Sequence, residues 1–172
     1  TEALLHIFKN KGEKEFIKQI PGSYTIAIAD KQRKDIIVLR DRTGIKPGVL
    51  GWKDGKYGIA SEDIAFRKNG GEFVEDLDPG SVYYLTPEGN FRKTKVVEPR
   101  IAYCFFEWNY LSDYESVLNG VSVRKVRELF GEILAEEFHP KADLVTFLPR
   151  CPEAAARSYA RKTGIPYTPL FY

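Results

Sequence analysis

The spacing of apolar positions changes period twice along these 172 residues. It begins helical. Ala3, Leu4, Leu5, Ile7 and Phe8 fall on a short helix ending at Lys11-Gly12, and Phe16, Ile17 and Ile20 fall on a second, stopped by Pro21-Gly22. From Tyr24 the period is two. Residues 24–29 and 36–39 read as strands around the polar turn 30–35. Residues 49–52 and 56–60 flank Asp54-Gly55, a pair suited to the positive φ that a tight hairpin needs. A short helix is expected over 64–66, with Ser61-Glu62 as its cap and first-turn acid. Residues 72–77 and 81–85 bracket Asp78-Pro79-Gly80, and a last strand pair straddles Pro87-Glu88-Gly89. The pattern over 22–97 therefore predicts an antiparallel β meander with a little helix.

The character changes near residue 100. After the aromatic run from Ile101 to Trp108, Ser122 caps a long helix through Phe138. Its apolar stripe is Val126, Leu129, Phe130, Ile133, Leu134 and Phe138. Residues 144–148 read as a strand, 152–162 as a helix closed by Gly164, and Ile165-Pro166-Tyr167 as the start of another strand. Strand, helix, strand is the order of a parallel sheet. The fold class expected is thus α+β followed by the opening of an α/β unit.

Composition narrows the function. Twenty-six basic residues against 24 acidic ones give a net charge of +2, which offers no electrostatic reason to propose nucleic acid. No stretch approaches the ~20 apolar residues of a membrane helix. Two cysteines point to a reducing, cytoplasmic compartment rather than a disulfide scaffold. The chain contains no Met, opens inside a helical pattern at Thr1 and stays apolar to Tyr172, so a piece of a longer protein is expected.

The densest motif is Arg40-Asp41-Arg42-Thr43-Gly44-Ile45-Lys46-Pro47, at the end of an apolar strand. Asp41 is suited to accept from backbone N–H groups ahead of it, Gly44 to take positive φ, and Arg40 to pair with a carboxylate. Such a motif makes a rigid corner, and it would also place neighbouring strand ends around a ligand. Ser61 and Glu62 sit at a strand-to-helix junction and read as capping before catalysis. Cys104 reads as a small buried hydrophobe. Cys151 precedes a helix and is the more reactive thiol by position, though an inert role is expected. His6 and His139 have no ligand spacing around them, so no metal site is expected. There is no phosphate loop of Walker spacing.

Several segments, in order, resemble the glutamine phosphoribosylpyrophosphate amidotransferase (amidophosphoribosyltransferase) family. They are Pro21-Gly22-Ser23-Tyr24, Leu39-Arg40-Asp41 through Gly44-Ile45-Lys46-Pro47, Ile59-Ala60-Ser61-Glu62, Leu77-Asp78-Pro79-Gly80 and Cys104-Phe105-Phe106-Glu107-Trp108-Asn109-Tyr110-Leu111. Val121-Ser122-Val123 with Arg127, and Gly164-Ile165-Pro166-Tyr167, are also similar. The corner motif and Ala60-Ser61-Glu62 would fit the glutaminase domain of asparagine synthetase too, but the part after residue 100 favours the first family.

The resemblance implies antiparallel β layers of N-terminal-nucleophile type with helices, then a long linker helix and the first strand–helix unit of a parallel phosphoribosyltransferase sheet. It divides the chain into the C-terminal part of a glutaminase domain (1–97), a linker and long helix (98–140) and the start of a phosphoribosyltransferase domain (141–172). It implies a transferase of purine biosynthesis that takes ammonia from glutamine and joins it to phosphoribosyl pyrophosphate, forming phosphoribosylamine with Mg²⁺ on the diphosphate. The nucleophilic Cys and the glutamine-binding Asp would lie before Thr1, and the phosphoribosyl pyrophosphate loop after Tyr172. No catalytic residue is therefore assigned; Arg40, Asp41, Gly44, Pro47, Ser61 and Glu62 are expected as a structural motif near the glutaminase site. Cys104 matches one ligand position of the iron–sulfur cluster that some members hold, though a cluster is not buildable from this chain.

Two departures lie inside the matched region. Leu111-Ser112-Asp113-Tyr114-Glu115-Ser116 stands where the family has Phe-Ala-Arg-Pro-Asp-Ser, and Arg150-Cys151 stands where it has an acid and Ser. They motivate the alternative of a catalytically inactive homologue acting as a regulatory or assembly subunit. A homo-oligomer is expected, with neither nucleic acid nor membrane as partner.

Overall fold

The computed structural model describes residues 2–171. The chain forms two compact units, Thr1–Cys104 and Phe105–Tyr172.

The first unit opens with α1 (Glu2–Gln19), broken at Gly12 (φ 75°, ψ 170°) into the two helical pieces that the apolar spacing predicts. Seven strands follow: β1 (Thr25–Ala29), β2 (Ile36–Arg40), β3 (Val49–Lys53), β4 (Lys56–Ala60), β5 (Glu72–Asp76), β6 (Ser81–Leu85) and β7 (Phe91–Lys95). The turn between β3 and β4 is the expected hairpin, with positive φ at both Asp54 and Gly55 (50° and 81°).

The strands do not form a single meander. They form two sheets, in the orders β1-β2-β6-β7 and β4-β3-β5. The chain leaves the first sheet after β2, builds the second, and returns with β6. Burial explains the correction. Four of the five residues of β2 and all five of β6 are buried, so both belong at a sheet centre, paired on each side. They pair with each other, antiparallel, with Ile37 opposite Tyr84 and Val38 opposite Tyr83.

Alternation then sorts the side chains into layers. Ile37, Leu39, Val82 and Tyr84 pack under Phe16 and Ile17 of α1. Val38, Tyr83 and Leu85 face Leu50 and Leu77, with Tyr57, Ile59 and Phe91 closing the space between the sheets. A short helix, α2 (Ile64–Arg67), packs on β3 and β5, with the Phe66 ring against Gly51 and Gly58. The N-terminal boundary residue of α2 is Asp63, two residues beyond the expected Ser61, and its carboxylate accepts from Arg67 Nε at 2.8 Å instead of capping the helix.

Three of the buried or half-buried tyrosines of this unit are shifted upward. Burial, reinforced by the Asp41 charge, raises Tyr24 to about 12, and burial with the hydrogen bond to Glu13 raises Tyr84 to about 12. Tyr83 is raised further, chiefly by burial. A raised tyrosine favours the protonated folded state. That contribution is whole below the unfolded value near 10 and is lost as pH climbs through the folded one. Stability is therefore expected to fall between about pH 10 and 12. Tyrosinate absorbance should show these phenols titrating late and together with unfolding.

In the second unit a π-helical turn (Glu107–Leu111) is followed by a two-residue hairpin pair, β8 (Val117–Leu118) and β9 (Val121–Ser122), turning on Asn119-Gly120 (φ 48° and 76°). α3 (Val123–Glu137) starts at Ser122, whose Oγ accepts from Lys125 N at 3.3 Å. Buried Arg127 donates to the carbonyls of Trp108 and Ser112, both at 2.8 Å, and ties α3 to the π turn. α4 (Glu153–Thr163) ends at Gly164 in the left-handed conformation.

α3 meets α4 through a face that its apolar stripe does not mark. The buried residues are Val123, Arg127, Gly131 and Ala135, whereas Leu129, Ile133, Leu134 and Phe138 are exposed. Small residues let the helix axes approach, and Ser158 Oγ then reaches the Glu128 carbonyl at 2.6 Å. The strand expected over 144–148 is reduced to one parallel bridge, Val145 with Tyr167. A lone parallel pair has too little ladder to extend on its own.

Candidate functional site

The corner after β2 is built around two buried charged residues. Arg40, 1% exposed, donates from Nη1 to the Leu77 carbonyl and from Nη2 to the Gly44 carbonyl at 3.0 Å. The carboxylate partner expected for it is replaced by main-chain oxygens. Asp41 and Asp76 act only as nearby charges, pulling upward on a guanidinium that burial lowers. The reason lies in Asp41, whose oxygens are already taken. Oδ2 accepts from Tyr24 N at 2.9 Å, and Oδ1 accepts from Thr43 N at 2.7 Å and from the Thr43 hydroxyl. Asp41 thus accepts from the backbone as its position in the motif predicts. Gly44 takes φ 64°, and a Cβ there would meet Pro79 Cγ at 2.7 Å, so both the backbone angle and the space require glycine.

This corner positions the start of β1 against the end of β4. Asp41 fixes Tyr24 N, and Thr25 Oγ1 donates to the Lys46 carbonyl at 3.2 Å. Between the two strand ends lies a cleft of about 480 Å³, whose walls include Tyr24, Thr25, Lys46, Pro47, Ala60 and Ser61. β1 and β4 are each the terminal strand of their sheet, so the cleft runs between two sheet edges.

Of the six residues singled out in the sequence, Pro47 and Ser61 line this cleft. Arg40, Asp41 and Gly44 stand behind it and hold its backbone. Glu62 is half-buried and follows Ser61 without lining the cleft. Tyr24, Thr25 and Lys46 were not singled out as site residues, although they lie inside or beside the same motifs. Their signal is adjacency in space, since the Asp41 bond to Tyr24 spans 17 positions. The lining contains neither Cys nor His. It presents hydroxyl and main-chain groups that can orient a small polar molecule.

Cys104 and Cys151 are free and half-buried, and Cys151 Sγ donates to the Tyr110 carbonyl at 3.4 Å. Among the described residues no three His, Cys, Asp or Glu side chains converge as metal ligands. No helix of the described residues is long and apolar enough to cross a membrane.

Residues 1–100 match the glutamine amidotransferase domain family, and the chain belongs to it. Its relatives give the resemblance read from the motifs a particular name. The chain is 36% identical over 154 residues to the amidophosphoribosyltransferase of Methanothermobacter thermautotrophicus, covering 90% of this chain and 32% of the relative. It is 30% identical over 174 residues to the amidophosphoribosyltransferase of Bacillus subtilis, covering 97% of this chain and 36% of that one. Among solved structures it superposes on the allosteric regulatory enzyme of purine biosynthesis with a TM-score of 0.90, at 30% identity over 98% of this chain and 37% of the other. The B. subtilis glutamine phosphoribosylpyrophosphate amidotransferase complexed with ADP and GMP gives 0.89. The chain spans about a third of the length of the curated relatives it matches.

Proposed function

We propose that this chain supplies part of a glutamine-dependent amidophosphoribosyltransferase, which makes phosphoribosylamine from phosphoribosyl pyrophosphate and glutamine-derived ammonia in purine synthesis. Residues 1–97 are the C-terminal part of its N-terminal-nucleophile-type glutaminase domain. Residues 98–140 are the linker with its long helix, and 141–172 open the phosphoribosyltransferase sheet. The observation that carries this reading is the extent of the likeness. The glutamine amidotransferase match accounts for residues 1–100, whereas the structural likeness covers 98% of the chain at a TM-score of 0.90. A shared glutaminase domain, as in an asparagine-synthetase-like protein, would account for the first unit alone.

In this reading the chain's own residues hold and orient. Arg40 and Asp41 fix the corner, and the cleft between β1 and β4 forms a wall of the glutaminase site, with Pro47 and Ser61 on its surface. No residue here takes a catalytic role. The family's Mg²⁺ would sit on the diphosphate of the complete enzyme, and no step is routed through these residues to it. Glutamine and phosphoribosyl pyrophosphate are the substrates, in a homo-oligomeric, cytoplasmic enzyme.

A chimera tests the proposal. When this chain replaces the matching third of the B. subtilis relative, the product is expected to release glutamate from glutamine and diphosphate from phosphoribosyl pyrophosphate. A folded chimera that does neither would identify an inactive homologue instead.

A further inference from the structure

β6 presents two neighbouring tyrosines to opposite faces of its sheet, and their hydroxyls serve different ends. Tyr84 turns toward α1, where its hydroxyl donates to Glu13 at 2.8 Å. Tyr83 is fully buried between the sheets; its hydroxyl accepts from Asp78 N at 2.9 Å and donates to Glu75 Oε1 at 3.0 Å. Lys93 Nζ completes the cluster, 2.9 Å from the Glu75 carboxylate and 2.8 Å from that of Asp78. The Asp78 amide belongs to the turn 77–80, so the phenol holds that turn from the inside.

The same turn holds the corner after β2. Leu77 N donates to the Gly48 carbonyl at 2.9 Å, and the Leu77 carbonyl accepts from Arg40. Pro79 occupies the space that a Cβ at Gly44 would need. Gly80 N reaches the Arg40 and Asp41 carbonyls at 3.1 and 2.9 Å. Asp41 then holds Tyr24 twice: its Oδ2 accepts from Tyr24 N at 2.9 Å, and its own N donates to the Tyr24 carbonyl at 3.1 Å. A continuous series of hydrogen bonds and close contacts therefore runs from the Tyr83 hydroxyl to Tyr24 and, beside Gly48, to Pro47. Both of these line the cleft, whereas Tyr83 does not.

We propose that Tyr83 is a positioning residue for the glutamine site, acting through the turn 77–80 on the corner that walls the cleft. The proposal rests on the reading of that cleft as part of a glutaminase site. The Tyr83 ring packs with Leu50 and Leu77 and stacks on Phe91 at 6.4 Å. Phenylalanine at this position keeps that packing and removes the two hydrogen bonds. A wall held less firmly weakens the binding of substrate and transition state alike, which raises KM and leaves kcat in place.

Tyr83→Phe in the chimera with the B. subtilis relative tests it. Tyr84→Phe is the matched control, because it removes a buried phenol hydroxyl from the same strand on the face toward α1. Tyr83→Phe is expected to raise KM for glutamine about two- to tenfold, the range of one lost hydrogen bond. Its kcat, and diphosphate release with free ammonia, should stay unchanged. Tyr84→Phe should leave KM for glutamine at the wild-type value. Hydrogen exchange adds a readout independent of activity: peptides spanning 77–80 and 23–25 should lose protection together in Tyr83→Phe and keep it in Tyr84→Phe. An unchanged KM for Tyr83→Phe, an equal rise in both variants, or a loss of protection confined to 77–80 overturns the proposal. If the wild-type chimera takes no nitrogen from glutamine, the reading of the cleft fails, and exchange at 23–25 decides whether Tyr83 positions the corner.

Discussion

Arg40→Met is expected to destabilise the first unit by about 2–4 kcal/mol, one of the two largest single-residue effects in the chain. Met retains most of the volume, so little cavity forms and the loss comes from hydrogen bonding. The carbonyls of Leu77 and Gly44 lose their donor in a fully buried place. Each orphaned acceptor costs about 1–3 kcal/mol, partly offset because a buried guanidinium no longer has to be desolvated. The damage spreads because Gly80 N reaches the Arg40 and Asp41 carbonyls at 3.1 and 2.9 Å, tying β6 to the same corner. Arg40→Lys is expected to fail as well, since an ammonium does not reproduce the fork that spans two carbonyls. Urea unfolding should show a lower midpoint with an unchanged slope. A wild-type midpoint for Arg40→Met would mean that the corner does not depend on this residue.

Gly131→Ala is expected to cost the second unit about 2–3 kcal/mol, although alanine is the better helix former. A Cβ at this position would lie 2.0 Å from the Ala155 carbonyl oxygen and 2.2 Å from Ser158 Oγ. The first obstacle is backbone, so α3 and α4 have to move apart. The Ser158 bond to the Glu128 carbonyl and the two ion pairs from α4 to Glu132 and Glu136 lengthen together. The gain of about 1 kcal/mol in helix propensity is smaller than this loss. Hydrogen exchange is the appropriate measurement because it localises the effect. Protection should fall across α3 and α4 and stay unchanged in β1 through β7. A stabilised Gly131→Ala would contradict the close approach of the two helices.

The sequence made local structure legible wherever the signal was local. Asp54-Gly55 marks its hairpin, Gly12 its break, Ser122 its cap and Gly164 its helix end, because each acts through its own backbone angle or its nearest turn. Asn119-Gly120 carries the same hairpin signal between Val117-Leu118 and Val121, but its strands are only two residues long, too short for a period-two pattern. Pairing was less legible, since β2 joins β6 and β3 joins β5 across many intervening residues. A run such as Ile36-Ile37-Val38-Leu39 announces a central strand without naming its neighbours. The apolar stripe of α3 was legible, but its position was misleading. The helix buries Gly131 and Ala135, whose small size is the packing signal, and exposes Leu129 and Ile133.

At the site, the type of residue was readable and its partner was not. Asp41 accepts from Thr43 N two residues on, which a turn motif predicts, and from Tyr24 N, which only the fold brings near. Arg40 appeared suited to a carboxylate. Burial at the end of β2 instead surrounded it with main-chain oxygens, while both oxygens of Asp41 are engaged by Tyr24 and Thr43. The resemblance to amidophosphoribosyltransferases was legible in short motifs along the chain, and relatives of that name are 36% and 30% identical over 154 and 174 residues.

The central claim is that residues 1–97 form the scaffold of a glutaminase site serving a transferase. The most direct test compares nitrogen sources in the chimera with the B. subtilis relative. Diphosphate release is measured once with glutamine and once with free ammonia. The account predicts release with both, and glutamate formed one for one with diphosphate when glutamine is the donor. Release with ammonia alone, from a chimera whose melting transition is intact, would contradict it.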